Sequence, residues 1–197
     1  MKTFLHAGCG TVKKSQLPGF SNNSWQEIRY DNNEIANPDI KGTLTEMSQV
    51  KTGSLDAIYS SHNLEYFYSH EVQIVTSEFY RVLKDDGIVV IICHDLQSTC
   101  EQVAQDNLLG TLYEANSGSL NSMDILYGSS DALKKGSHFM AHKCGFTYSS
   151  LLGEIQLANF KKWIGGRMLK SFELCLIACK DEKSDEELQK LAYQFLP

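Results

Sequence analysis

Short apolar runs alternate with stretches of helical spacing from the first residue to about residue 180, the sequence form of a βαβ sheet. Residues 4–7 predict a first strand that ends in Gly8-Cys9-Gly10, where two glycines permit a tight turn and close backbone approach by a ligand. Residues 13–24 carry Pro18-Gly19 and Asn22-Asn23, so the first crossover is predicted to be short or irregular rather than a long helix. A second strand is read at 27–30, stopping at Asp31, with a short third within 39–44 and a fourth at 55–59.

Over 71–84, Val72, Val75, Phe79, Val82 and Leu83 make one apolar stripe, which predicts a helix packed on the sheet and ended by Asp85-Asp86-Gly87. Ile88-Val89-Val90-Ile91-Ile92 follows without alternation, as expected of a strand covered on both faces. Residues 95–140, rich in Ser, Asn, Gly and Tyr, show no clear strand and are read as an insertion or lid. A helix is predicted at 147–158 with Thr147 as N-cap. Two apolar runs, 160–164 and 172–179, flank Gly165-Gly166 and predict an antiparallel hairpin around a glycine turn. Residues 181–197 become amphipathic through Leu188, Leu191, Ala192 and Phe195, the pattern of a docking helix. The whole predicts one α/β domain over 1–197, a mostly parallel sheet between two helical layers.

Composition narrows the function classes. With 24 acidic against 18 basic residues the net charge is −6, and no basic run exceeds two residues, which disfavours a nucleic-acid partner and favours a small-molecule one. The longest strongly apolar run, 88–93, is far short of the ~20 residues a spanning helix needs, so no membrane partner is expected. The N-terminus meets the glycine loop too soon for a signal segment, which predicts a cytoplasmic protein. Six scattered cysteines read as reduced thiols. Cys175 and Cys179 share one strand face without a second pair to complete a tetrahedral site, so no metal is expected. A homodimer is compatible with these features.

A strand, Gly8-x-Gly10 and an acid at the end of the next strand form a nucleoside-binding arrangement, with backbone at the ligand and a carboxylate accepting from ribose hydroxyls. A dinucleotide fingerprint would need a third glycine where Lys13 stands, which argues against a nucleotide-dependent oxidoreductase.

Leu5-His6-Ala7-Gly8-Cys9-Gly10 resembles the first motif of class I S-adenosylmethionine-dependent methyltransferases, and later segments resemble the same family in order. Asp31 stands where the family places its ribose-binding acid, and Thr45-Glu46-Met47 in the loop beside the adenine. Ser60-Ser61-His62-Asn63-Leu64-Glu65 resembles the segment after the fourth strand, and residues 78–87 the helix-to-fifth-strand signature. Phe139-Met140-Ala141-His142-Lys143-Cys144-Gly145-Phe146-Thr147 resembles a segment of small methyltransferases of this kind. The resemblance spans about residues 3–180 and implies a seven-stranded Rossmann-like sheet with an antiparallel C-terminal strand at its edge. It further implies S-adenosylmethionine as cofactor, S-adenosylhomocysteine as product, and a cofactor site built from His6, Gly8, Cys9, Gly10, Asp31, Thr45, Glu46, Met47, Ser61 and His62. The family usually has an acid in place of His6, holding the methionine part of the cofactor. An imidazole there supplies no full negative charge.

No catalytic residue is specified by the sequence. His94 and Asp95 follow the most apolar strand at the ligand-binding end of the sheet, and His138 and His142, four apart, could share a helix face. Each is a candidate base for an acceptor that must lose a proton. Tyr113 and Tyr127 are candidates to line an acceptor pocket, while His62 and Glu65 could instead cap the next helix and face solvent. The predicted activity is methyl transfer to a small acceptor, with 95–140 supplying selectivity. A methyltransferase fold that binds cofactor without turnover is the second reading.

Overall fold

The computed structural model describes residues 1–115 and 118–197. Its strands are β1 (Lys2–Ala7), β2 (Trp25–Asp31), β3 (Ile40–Lys41), β4 (Leu55–Ser61), β5 (Leu83–His94), β6 (Thr111–Ala115), β7 (Gly118–Asn121), β8 (Lys162–Met168) and β9 (Glu173–Cys179). Its α-helices are α1 (Ser69–Val82), α2 (Leu96–Val103), α3 (Ser122–Tyr127), α4 (Ser130–Lys134), α5 (Tyr148–Leu157) and α6 (Asp185–Phe195). Seven strands form one sheet in the order β3-β2-β1-β4-β5-β9-β8. Only β9 runs against its neighbours, so the sheet is the mostly parallel Rossmann-like one the sequence predicts.

The missing alternation in β5 has a direct cause. Val89 and Ile91 pack on one face with Val72, Val75 and Phe79 of α1 and Leu151 and Ile155 of α5. Ile88, Val90 and Ile92 pack on the other face with Phe4, Tyr59 and Ile177. A strand covered on both sides has no position that favours a polar side chain. Thr147 caps α5, its hydroxyl accepting from the Ser150 amide, as predicted.

Between β1 and β2 lies a single 3-10 turn, Lys14–Gln16, and no α-helix, in keeping with the irregular crossover read from Pro18-Gly19 and Asn22-Asn23. The sheet face left open there is closed by Leu17, Phe20 and Trp25 together with Leu188 and Phe195 of α6. The Phe195 ring lies 4.8 Å from Phe20 and 6.0 Å from Trp25. The C-terminal segment thus docks, and the apolar burial that orders it also covers the strands.

Four expectations are corrected. First, α1 stops at Val82, and Leu83 already belongs to β5, because the Arg81 and Val82 carbonyls are taken by the amides of Gly53 and Ser54. Leu55 then pairs with Leu83 and Ala57 with Ile88, so Asp85-Asp86-Gly87 is a bulge within the strand instead of a helix end. Second, Gly165 and Gly166 do not turn the hairpin; they lie inside β8, opposite Leu176 and Cys175, and the chain reverses after Met168. Gly165 is required by close approach, since a Cβ there would run into the Cys175 carbonyl. Third, the antiparallel strand β9 is inserted between β5 and β8 rather than placed at the edge. Fourth, residues 95–140 do contain strands: β6 and β7 pair as a small separate hairpin, with Tyr113 opposite Leu120. Their mixture of polar and apolar residues gives no period-2 signal to read.

His6 is also placed differently from its expected role. It is 3 % exposed, shares a sheet face with Phe4, packs edge-on to Tyr59 at 5.6 Å, and its Nδ1 lies 2.7 Å from Glu27 Oε1. Among the described residues no helix is long and apolar enough to cross a membrane, and all six cysteines are free thiols.

Two predictions follow from packing. Gly165→Ala should lower stability by about 1–3 kcal/mol through overpacking against backbone. Gly166→Ala, which would meet nothing within 4 Å, should stay within about 0.5 kcal/mol in the same urea titration. Burial pulls the His6 pKa below its usual 6.5 despite the opposing Glu27 carboxylate, so the folded chain binds this proton less readily than the unfolded one. That contribution to stability is present above pH ~6.5 and is lost as pH falls through the lower folded value. In His6→Leu the urea midpoint should therefore decline less steeply on acidification than in the parent chain; equal slopes would contradict the assignment.

Candidate functional site

The C-terminal ends of β1, β2 and β4 open into a cavity of about 400 Å³, within the size range of small-molecule sites. Its floor is the bend after β1. Gly8 and Gly10 both have positive φ, 58° and 48°, a region that costs other residues strain. Gly8 also admits no side chain, because a Cβ would overlap the Asn63 amide, whose nitrogen donates to the Ala7 carbonyl at 2.9 Å.

Strand β2 holds this bend from the side. Asp31 Oδ2 accepts from the Gly10 amide at 2.8 Å and Oδ1 from the Asn33 amide at 2.8 Å. Arg29 donates to the carbonyls of Gly10 at 2.6 Å, Val12 at 2.7 Å and Ala36 at 3.1 Å. One strand end therefore braces both the glycine loop and the turn that follows β2. An ionised carboxylate offers about four acceptor positions, so two backbone bonds leave Asp31 capacity for hydroxyls of a ligand.

Of the expected cofactor residues, Gly8, Gly10, Asp31 and His62 line this cavity, and His6, Cys9, Thr45, Glu46, Met47 and Ser61 do not. Cys9 is buried, and desolvation pushes its thiol up to about 11. Met47 is fully buried, its amide donating to Glu78 Oε2 at 2.9 Å and its carbonyl accepting from Arg81 at 2.9 Å. The wall expected from 45–47 is supplied instead by Thr43 and Leu44. Tyr30 fixes that loop from below, its hydroxyl donating to the Thr43 carbonyl at 3.0 Å. Sequence reasoning also missed Asn63, Tyr66, Phe139 and Met140 as lining residues. For Phe139 and Met140 a signal existed in the segment that resembles small methyltransferases.

A second cavity of about 220 Å³ is lined by Glu65, His94, Ile125, Tyr127 and His142, among others. It adjoins the first at two imidazoles tilted against each other: the His62 ring lies 4.4 Å from His94, which lies 5.5 Å from His142. His62 Nε2 is 3.0 Å from Glu173 Oε1, and its Nδ1 is 3.6 Å from Glu65 Oε1, beyond hydrogen-bond length. Glu65 is 1 % exposed and accepts the His94 amide at 2.8 Å. Burial works against charge in this group, but the Glu173 and Glu65 carboxylates outweigh it at His62 and raise its pKa. Glu65 is likewise desolvated, yet the adjacent imidazoles hold it below the usual carboxylate range. His94, desolvated and repelled by His62, is pushed well down and stays neutral.

The remaining candidates separate. Asp95 is fully buried and committed: it accepts from Arg167 Nε at 2.6 Å and Ser98 Oγ at 2.5 Å and caps α2 through the Gln97 amide. Such a carboxylate is structural. His138 sits exposed on a 3-10 turn, and His142 lies beyond its end, so the two share no helix face. His142 Nδ1 is 2.7 Å from the Ile125 carbonyl and therefore carries the proton, which leaves Nε2 as the acceptor nitrogen of the neutral ring. Tyr127 lines the second cavity, and Tyr113 stacks on Phe172 at 6.2 Å.

Residues 5–91 match the family model of a methyltransferase domain. No curated protein matches the chain. Among solved structures, an S-adenosylmethionine-dependent methyltransferase from Archaeoglobus fulgidus superposes with a TM-score of 0.58 at 13% identity, covering 90% of this chain and 86% of its own. A possible histamine N-methyltransferase from Thermotoga maritima gives 0.56 at 14% identity over 92% and 83%. The 1,6-didemethyltoxoflavin-N1-methyltransferase of Burkholderia thailandensis, solved with 1,6-didemethyltoxoflavin and S-adenosylhomocysteine bound, gives 0.54 at 12% identity over 91% and 71%. At these identities the likeness concerns the fold. A glycine bend braced by a β2 acid, the inserted antiparallel β9 and the methyltransferase-domain match over residues 5–91 agree in giving the chain the Rossmann-like methyltransferase fold.

Proposed function

We propose that the chain transfers a methyl group from S-adenosylmethionine to a small-molecule acceptor, with the larger cavity holding the cofactor and the adjoining one the acceptor. The observation that carries the reading is the Gly10–Asp31 contact, which sets a glycine-lined bend and a carboxylate with spare acceptor capacity on the same cavity. Asp31 would accept from the ribose hydroxyls, the Gly8–Gly10 bend would let the backbone approach, and Leu44 with Phe139 and Met140 would cover the adenosyl part. His6 lies behind the sheet, away from the cavity, so its departure from the family's acid does not count for a binding-only protein.

When bound, S-adenosylmethionine supplies an activated methyl on its sulfonium, whose transfer forms a bond to the acceptor and leaves S-adenosylhomocysteine. The chain's part is alignment and exclusion of water. His62 and His94 stand where the two cavities meet, and His142, which lines the second, would accept a hydrogen bond from the acceptor through Nε2. Segment 95–140 contributes Phe139 and Met140 to the first cavity and Ile125 and Tyr127 to the second, which suits it to act as lid and acceptor-selecting insertion. The second cavity's size favours a small acceptor, and the net charge of −6 disfavours a phosphate backbone.

Calorimetry with S-adenosylmethionine and S-adenosylhomocysteine should show binding that Asp31→Ala weakens ten- to a hundredfold, the effect of losing charge-assisted hydrogen bonds worth about 1.5–3 kcal/mol. His142→Ala, outside the first cavity, should leave that affinity unchanged. Equal affinity in parent and Asp31→Ala would remove the cofactor assignment; a loss in His142→Ala would remove the division of the cavities.

A further inference from the structure

Three buried polar atoms without a partner meet at the boundary of the two cavities: His62 Nδ1, Glu65 Oε2 and His94 Nδ1. Orphaned polar atoms inside a protein are costly, and three together ask for a common partner. Each residue also offers a ligand atom within 4.8 Å of the others, a spacing compatible with one ion. We propose that His62, Glu65 and His94 form a site for one divalent transition-metal ion of the zinc, cobalt or iron type.

The donor set decides the class of ion. Two imidazoles and one carboxylate suit zinc and its neighbours, whereas magnesium and calcium favour all-oxygen sites. Tetrahedral ligands about 2.0–2.2 Å from one ion lie about 3.3–3.6 Å from each other, so from spacings of up to 4.8 Å the side chains would close in by as much as about 1.5 Å on binding. The surrounding contacts are those that orient metal ligands. His62 points its other nitrogen at Glu173, 3.0 Å away, and the second oxygen of Glu65 is held by the His94 amide at 2.8 Å. Three protein ligands leave coordination positions open, and Glu65 and His94 line the second cavity, so an acceptor presenting a hydroxyl, amine or carboxylate there could complete the sphere. The ion-binding site is independent of the methyl-transfer reading and is tested without cofactor.

The chelator-treated full chain is titrated with Zn²⁺ by calorimetry and with Co²⁺ by absorption spectroscopy, with Mg²⁺ as competitor. One ion per chain is expected, with cobalt ligand-field bands, no sulfur-to-cobalt charge-transfer band, and no displacement by Mg²⁺. Glu65→Gln and His94→Ala should each weaken binding by at least about tenfold. Glu65→Gln keeps the acceptor oxygen for the His94 amide, and circular dichroism checks that each variant is folded; should one fail, the other carries the comparison. No stoichiometric ion, a thiolate band, or affinity unchanged in the folded variant would overturn the site. The trio would then be an imidazolium between carboxylates.

Discussion

The hydrogen bond from the Gly10 amide to the Asp31 carboxylate joins two loops that the sheet alone would leave separate. Parallel pairing fixes β1 and β2 only as far as Ala7 opposite Tyr30. Beyond that register the chain has to curl through two glycines at positive φ, a conformation with little intrinsic preference over its alternatives. Asp31 and Arg29 supply that preference by binding an amide and three carbonyls of the surrounding loops. The mouth of the larger cavity therefore inherits its shape from a strand end, which is rigid, and not from the loop itself.

Rigidity of that strand end depends in turn on both sheet faces being covered. On one face α1 and α5 pack in the ordinary way. On the other, the first crossover provides only a 3-10 turn with Leu17 and Phe20, and α6 brings Leu188 and Phe195 from the far end of the chain to complete the layer. His6 belongs to this layer. The position where the resemblance to methyltransferases leads one to expect an acid is here an imidazole hydrogen-bonded to Glu27, and the phenylalanine and tyrosine rings around it share in the packing.

Where the cavities meet, the chemistry is of another kind. Glu65 is buried almost completely and still held in its charged form by two imidazoles, an arrangement that costs desolvation and is seldom retained without a use. His62, at φ 51°, adds backbone strain at the same place. Strained backbone, orphaned polar atoms and displaced pKa values coincide where the two cavities meet.

Much of the fold was legible in residue pattern: the unalternating run 88–92, the stripe of α1, the Thr147 cap and the amphipathic C-terminus each state a local or one-body preference that packing then satisfied. Gly8, Gly10 and Asp31 were legible because backbone geometry and a strand-end acid are local as well. Other features depend on partners remote in sequence. Gly165 resembles a turn glycine until the Cys175 carbonyl lies against it, and Met47 resembles a cavity residue until Glu78 and Arg81 take its backbone. Asp95 looks free until Arg167 arrives from β8, and His62, Glu65 and His94 converge only because β4 and β5 pair in parallel and end side by side. The sequence by itself determined which segments prefer strand, helix or bend; tertiary structure alone decided which side chains share a cavity, since hydrogen bonds and burial act through space between residues whose separation along the chain carries no periodic signal.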